Sequence, residues 1–371
     1  MIRVLHVVGG LDRAGVETWL VQVLRKLSPE DYRFDFLVHG DAPYHYEEEV
    51  KALGSKVIRC PIPSRPVRYA RNFLRILREH GPYDCVHSHL HHFSGFVMLL
   101  AKLGGVPARV AQSHLDTSAG DQSALPMRKF YQTLMKVMIQ AFATSETAVS
   151  MPAGNALFGE GWNNKERGSI LPLGIDLSAF QSAVDPSQIR RSLGIPKDAF
   201  VVGHVGRFCE QKNHAFLVEV AAELVKLQPR AFFLLIGEGP LRVGIEAEIR
   251  SRRLADNFLF TGVQTQVATL MKGAMDAFIF PSRYEGFGLA LLEAQAAGLP
   301  CVISETIPEE ACVIRELLDR RPLSDGAGSW ARALDCTRGK RNGARPNELR
   351  SYSLEHSVAS LEQLYSQAHY N

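Results

Sequence analysis

The sequence predicts an α/β protein of two Rossmann-like domains, each a parallel sheet with helices on both faces, the two facing each other across a cleft. Short apolar runs alternate with helical patterns along the whole chain, and strict strand–helix alternation builds βαβ units and parallel sheets. The chain has 371 residues, too many for one ordinary core and suited to two of ~100–200 residues. Between two such series lies LPLGIDLSAFQSAVDPSQ, Leu171–Gln188, rich in Pro, Gly, Ser and Asp. That composition marks a boundary, with a first domain over 1–175 and a second over 176–352.

In the first domain RVLHVV, FDFLVHG, KVIRCP, YDCVHSH and ARVAQSH read as strands, being short apolar runs that end in polar or turn residues. Helices are expected over Glu17–Leu27, Tyr46–Leu53, Arg68–His80, Phe93–Leu103 and Arg128–Phe142. The second domain opens with a fresh helix, then repeats the theme with AFVVGHVG, RAFFLLIG, NFLFTG, AFIFP and PCVIS. Its helices are His214–Leu227, Leu241–Arg253, Val267–Met271, Leu289–Ala297 and Ser329–Thr337. The segment after SETIPEEACV looks short and irregular as far as Ser329, and Arg338–Arg350 reads as a basic, solvated loop before a last helix, Leu354–Ala368.

Composition narrows the function classes. A formal net charge of +3 gives no global argument for nucleic acid, and no nucleic-acid-binding signature is present. MIRVLHVVGG does not read as a signal peptide, because His6 interrupts a short apolar run and no small-residue cleavage site follows. No apolar run reaches the ~18 residues of a spanning helix. Six cysteines without a CxxC pair fit reduced thiols in a cytoplasmic protein better than a disulfide framework or a zinc site.

In open parallel sheets ligands bind beyond the carboxyl ends of the strands, so the residues just after strands are the candidates. GRFCEQKN places Gly206, Arg207 and Lys212 there, a fork and a point charge that suit a diphosphate; two solvated surface charges would look the same. The glycines of IGEGPL allow close backbone approach or simply make a turn. Gly9, Gly10 and Gly15 precede a helix expected to start around Glu17, where free N–H groups can hold an anion; a plain flexible loop is the alternative. In EGFGLALLEA the turn Gly286-Phe287-Gly288 runs straight into a helix, so its N–H groups and dipole suit a phosphate. Glu285 lies in that turn and Glu293 on the helix, and ionised carboxylates need hydroxyl donors. A nucleotide sugar offers both partners: the diphosphate to Arg207, Lys212 and the N–H groups, the ribose diol to Glu293, the sugar to Glu285. Taken singly, the two glutamates could equally be an exposed loop acid and a solvent-facing helix residue.

The histidines of HSHLHHF, His87, His89, His91 and His92, follow one strand, and His114 follows the next. HxH spacing raises a metal site, but the cluster contains no acid and the chain has no DxD. A polar wall with one or two hydroxyl-binding imidazoles is the preferred reading.

The ordered set GGLDRAGVETWL, HSHLHHFSG, LPLGID, VGRFCEQKNH, LIGEGPL, FTGV and EGFGLALLEA resembles the retaining family 4 glycosyltransferases, which have the GT-B fold, and within them the bacterial enzymes of exopolysaccharide and capsule assembly. The resemblance covers nearly the whole chain, and Glu285 and Glu293 carry the family's E-x7-E motif. It implies a catalytic set of His114, Glu285, Arg207 and Lys212. It implies donor contacts from Gly15, Arg207, Lys212, Gly262, Val263, Glu285, Gly286, Phe287, Gly288, Leu289 and Glu293, and an acceptor contact from His89. The family usually has paired glycines where this chain has Ala14-Gly15. The resemblance also implies that a last helix, 353–371, crosses back to the first domain.

The activity so implied is transfer, with retention, from a nucleotide-diphosphate sugar, expected to be a UDP-sugar, to a glycan or polyprenyl-linked oligosaccharide. No metal or other cofactor is expected, since Arg207, Lys212 and a helix N-terminus can stabilise the departing diphosphate. The rivals are a sugar-nucleotide-binding protein without transfer activity, a metal-dependent hydrolase built on His87–His92, and an NAD-dependent dehydrogenase, which lacks its glycine fingerprint. One surface feature adds a partner. In RPVRYARNFLRILREHG, Arg68, Arg71, Arg75 and Arg78 recur three and four apart, with Arg65 before them and Phe73, Leu74 and Leu77 on the other side. The stripe is either a solvated helix face or a contact with anionic lipid at the inner face of the cell membrane.

Overall fold

The structure is a computed structural model and describes residues 1–61, 64–122 and 124–370. The chain divides into two compact units, Met1–Gly174 with the stretch from Leu354 onward, and Ile175–Ser353.

In the first unit the order is β1 (Ile2–Val7), α1 (Gly15–Lys26), β2 (Tyr32–Val38), α2 (Glu47–Ala52), β3 (Val57–Arg59), α3 (Pro66–His80), β4 (Cys85–Ser88), α4 (Ser94–Leu103), β5 (Ala108–Ser113), α5 (Ser118–Gln122), α6 (Pro126–Phe142), β6 (Ser145–Ala148), α7 (Met151–Phe158) and β7 (Gly168–Ile170). The strands form one parallel sheet in the order β3-β2-β1-β4-β5-β6-β7. One face carries α3, α4 and α6, whose Phe73, Met98 and Ile139 share a core with Leu5, Val86 and Ala111 of the sheet. A Cβ on Gly95 would collide with the Met135 carbonyl, so α4 and α6 approach as closely as they do only because that residue is glycine.

The second unit runs α8 (Pro186–Ser192), β8 (Phe200–Val205), α9 (His214–Leu227), β9 (Ala231–Ile236), α10 (Arg242–Ser251), β10 (Phe258–Phe260), α11 (Val267–Ala274), β11 (Ala277–Phe280), α12 (Leu289–Ala296), β12 (Cys301–Ser304), β13 (Leu318–Arg321) and α13 (Gly326–Asp335). Its parallel sheet has the order β10-β9-β8-β11-β12-β13. The last helix, α14 (Leu354–Tyr370), belongs to the first unit. There Trp19 Nε1 donates to Ser357 Oγ at 2.8 Å, and the fully buried Tyr365 hydroxyl meets His87 Nδ1 at 2.8 Å.

Two parallel Rossmann-like sheets are thus present as the sequence predicts. Several elements differ from expectation. Strands β6 and β7 and helix α7 escape the pattern reading because β6, SETA, buries Glu146 and Thr147 instead of apolar residues, and β7 is an exposed edge. The region read as irregular before Ser329 holds β13, LDRR, paired with β12; its half-buried charged residues give no strand periodicity. The basic segment is not simply solvated. Asn342 N–H donates to Gly298 O and Arg345 N–H to Ala296 O, and Pro346 and Leu349 are buried within a 3-10 helix over 346–352.

Candidate active site

In the second unit the strand order reverses between β8 and β11, which are neighbours. Such a switch point splays the loops on its two sides and leaves a crevice for ligand. The loop after β8 supplies Gly206, Arg207 and Lys212; the loop after β11 supplies Glu285 to Gly288. The two loops meet through Lys212, whose Nζ donates to Glu285 Oε1 at 2.6 Å and sits 4.8 Å from the centre of the Phe280 ring. Gln211 Nε2 donates to Glu285 Oε2 at 3.1 Å and to the Tyr284 carbonyl at 3.1 Å. Glu285 is 5% exposed, so the reading of it as a solvated loop acid fails. Its ionised form is held by one cation and one amide, and the cation is one the sequence assigns to a phosphate.

Arg207 is exposed and, among the described residues, its guanidinium has no ion-pair or hydrogen-bond partner. Gly288, at φ 108°, turns the chain into α12. Leu289 opens that helix half-buried, and Gly286 is buried. The Phe287 side chain is buried in the unit itself, its ring tilted against Tyr352 at 5.9 Å, so its backbone is what it can offer a ligand. At the start of the second turn of α12, Glu293 is half-buried and, among the described residues, its carboxyl has no partner. Burial alone pushes it up from 4.5 to about 7. A desolvated carboxyl without a donor lacks hydrogen bonds that a diol can supply.

The glycines of IGEGPL have a packing role. A Cβ on Gly237 would strike the Gly206 carbonyl, and one on Gly239 the Phe208 backbone, so these glycines let the loop after β9 lie against the loop after β8. Gly262, at φ 68°, accepts from the Gly237 N–H at 2.9 Å, and Val263 beside it is exposed. His204 and His214, which sequence reasoning passed over, buttress the site from below: His204 Nδ1 bonds the Ile279 carbonyl at 2.9 Å, joining β8 to β11, and His214 stacks on Phe208 at 4.0 Å.

In the first unit the histidines divide into two groups. His89 Nδ1 shares a hydrogen bond of 2.8 Å with His114 Nε2, and His89 Nε2 shares one of 3.0 Å with His6 Nδ1. The result is a row of three imidazoles across the ends of β1, β4 and β5. Burial holds His6 and His114 at about 3 and His89 well below its ordinary value, so the row is neutral at pH 7. Each shared bond then needs one donor and one acceptor, which ties the tautomers together. His91 and His92 lie apart, bonded Nδ1 to Nδ1 at 2.9 Å, with His92 3.6 Å from Asp121. The run His87–His92 therefore does not form one cluster, and the acid absent from the motif arrives from α5. The one group among the described residues with ring nitrogens close enough for a shared metal is His6, His87 and His89, within 4.8 Å. Both nitrogens of His89 are already engaged, so a metal there would break one of its bonds. His6 was visible in the sequence only as a polar interruption of an apolar strand.

At the N-terminal loop, α1 begins at Gly15, two residues before the expected Glu17. Ala14 caps it at φ −117° and ψ 170°, extended backbone open to any residue, so the missing glycine costs nothing there.

Two parallel Rossmann-like sheets with polar strand-end loops define the class of fold, and comparison with known proteins gives the family. Residues 3–150 match the Glycosyl transferase 4-like domain and residues 185–319 match Glycosyl transferases group 1. EpsF of Bacillus subtilis (strain 168) is 37% identical over 98% of this chain and 96% of its own length. The UDP-Gal:alpha-D-GlcNAc-diphosphoundecaprenol alpha-1,3-galactosyltransferase of Escherichia coli is 29% identical over 86% of this chain and 83% of that protein. Anabaena HepE, solved in complex with UDP and glucose, superposes with a TM-score of 0.80 at 18% identity, covering 99% of this chain and 100% of that one, and so shares the fold. The chain belongs to the family 4 glycosyltransferases of the GT-B fold.

Proposed function

We propose that the chain transfers a sugar from a UDP-sugar, with retention and without a metal, to a lipid-linked glycan in polysaccharide assembly. The observation that carries this reading is the switch-point constellation: Lys212 clamped to Glu285, Arg207 free beside them, and an unpartnered Glu293 on the helix behind. On this reading the diphosphate lies against Arg207, Lys212 and the start of α12, and the ribose diol donates to Glu293. Glu285, with Lys212 partly drawn to the phosphate, accepts from a hydroxyl of the transferred sugar. Gly15, Gly262, Val263 and Leu289 remain proposed donor contacts, His114 a contact to the sugar and His89 to the acceptor.

The bond from the anomeric carbon to the diphosphate oxygen breaks as Arg207 and Lys212 take up the developing charge. The acceptor oxygen bonds to the same face of that carbon, and its proton passes to the leaving diphosphate oxygen. Retention follows from same-face attack, and the cations supply the charge that a divalent ion supplies elsewhere. The lipid-linked acceptor is supported by the name of the Escherichia coli relative, and UDP by both that name and the HepE complex. The test is transfer to a polyprenyl-diphosphate glycan in EDTA, with the product's anomeric configuration read by NMR. An axial donor linkage that reappears as axial product supports the reading. An inverted product, or activity that needs an added divalent ion, would contradict it.

A further inference from the structure

We propose that α6, with Leu125 leading into it, is a membrane-docking helix whose exposed apolar stripe enters the interface of an anionic bilayer. The helix spans seventeen residues and has two apolar faces. One is spent inside the unit, where Met135 and Ile139 are buried and the backbone closes on Gly95 of α4. The other faces outward. Met127 is 84% exposed and Phe130 71%, and Tyr131, Leu134 and Val137 continue the stripe at spacings of three and four. Among the described residues, six of the fifteen exposed large apolar side chains fall between Leu125 and Val137. Surface apolar residues are ordinary when scattered singly; a contiguous row marks something that covers it.

The charges choose the occupant. Helix α6 contains Arg128, Lys129 and Lys136 and no aspartate or glutamate. The acid nearest in sequence on its N-terminal side, Asp121, accepts from Thr117 Oγ1 at 2.7 Å and from Gln132 Nε2 at 2.6 Å, and its single charge offsets only one of these three cations. A second copy of the chain, paired symmetrically through this face, would bring cations against cations. A surface that offers hydrocarbon beneath anionic phosphates satisfies both the stripe and its flanks. Helix α3 shares the same face of the sheet, and its Arg68, Arg71, Arg75 and Arg78 are all exposed. The arginine stripe thus adds attraction, while α6 supplies the apolar grip that arginines alone lack. Among the described residues no helix is long and apolar enough to cross a membrane, so contact of this kind is interfacial. Such docking serves the lipid-borne acceptor proposed above, yet it needs neither donor nor acceptor to be observed.

The three native tryptophans, Trp19, Trp162 and Trp330, are fully buried, so an indole placed at Phe130 reports the surface. The full-length Phe130→Trp protein is titrated with phosphatidylcholine vesicles, with and without phosphatidylglycerol and free of any glycolipid. The expected result is a blue-shifted emission, quenched by brominated acyl chains, on the anionic vesicles. Phe130→Ser with Leu134→Ser, exposed positions that leave the melting temperature unchanged, should lower vesicle partitioning by about tenfold or more. Arg128→Gln with Lys129→Gln and Lys136→Gln should erase the preference for anionic lipid. Unchanged emission on anionic vesicles at low salt would overturn the proposal. So would a wild-type dimer that the serine pair converts to monomer, which would give the stripe to a second copy. Because no acceptor is present, a failure here leaves the transfer reaction to be judged by its own assay.

Discussion

Lys212 holds a buried carboxylate in the structure and is assigned a phosphate in the reaction, and those two roles can be separated. Removing the cation alone leaves Glu285 charged, buried and supported only by Gln211, a situation that costs roughly 3–5 kcal/mol when a buried pair is broken. Lys212→Ala should therefore lower the melting temperature as well as turnover. Adding Glu285→Gln should restore much of the stability and none of the transfer, which stays down about 100-fold or more. Melting curves and initial rates on the two variants decide it; turnover recovered along with stability would reduce Lys212 to a structural cation. Glu293 makes a second prediction. With its carboxyl near 7 in the free protein, receiving a ribose diol favours the ionised form, so binding releases protons at neutral pH. Affinity for a UDP-sugar, whose diphosphate does not titrate in this range, should fall as pH drops from 8 to 6, and Glu293→Gln should bind weakly and flatly. Titration calorimetry in buffers of different ionisation enthalpy measures both. The spacing of Glu285 and Glu293 was legible because both lie in one turn and the helix that follows it directly. Gln211, Asp121 and His6 were not, because each meets its partner from a different strand end or helix.

At the scale of elements, the apolar strands and long helices were readable wherever burial followed the period of the element, as in AFFLLI of β9 with every residue buried. Reading failed where buried polar groups replaced the pattern. On β6, Glu146 is fully buried against Arg167 at 2.9 Å, and on β13 the strand is mostly charge. Neither hydropathy nor propensity sees a carboxylate whose partner lies one strand away. The contact of α4 with α6 also shows how one glycine sets an element's place. Gly95→Val should force the two helices apart and cost about 1–3 kcal/mol. Denaturant unfolding measures it, and a cost below a few tenths would mean that α6 shifts freely. That outcome would loosen the helix whose outer stripe is proposed to meet lipid.

At the scale of the whole molecule, stability should be acid-sensitive before the carboxylates titrate. Burial holds His6 and His114 at about 3, His204 at about 4 and His214 at about 2, against 6.5 when unfolded. The unfolded chain therefore takes up the protons, and stability falls as pH drops from 6.5 towards those values. Glu293 works the other way, its stabilising share present below 4.5 and lost as pH rises through about 7. Burial raises Glu17 and Glu146 in the same sense, but it also lowers His39, His87, His89, His91 and His92, so three carboxyls stand against nine histidines and the net slope is downward into acid. Urea midpoints at pH 7.5 and 5.5 should show a clear loss at the lower pH, and equal midpoints would mean that these imidazoles are not held neutral. The central claim is that the loops at the β8–β11 switch point hold the donor's diphosphate. It is tested most directly by UDP release from a panel of UDP-sugars in EDTA, comparing the wild type with Arg207→Ala. One sugar nucleotide should be cleaved by the wild type and at least about 100-fold more slowly by the variant. Cleavage at the same rate by both would contradict the account.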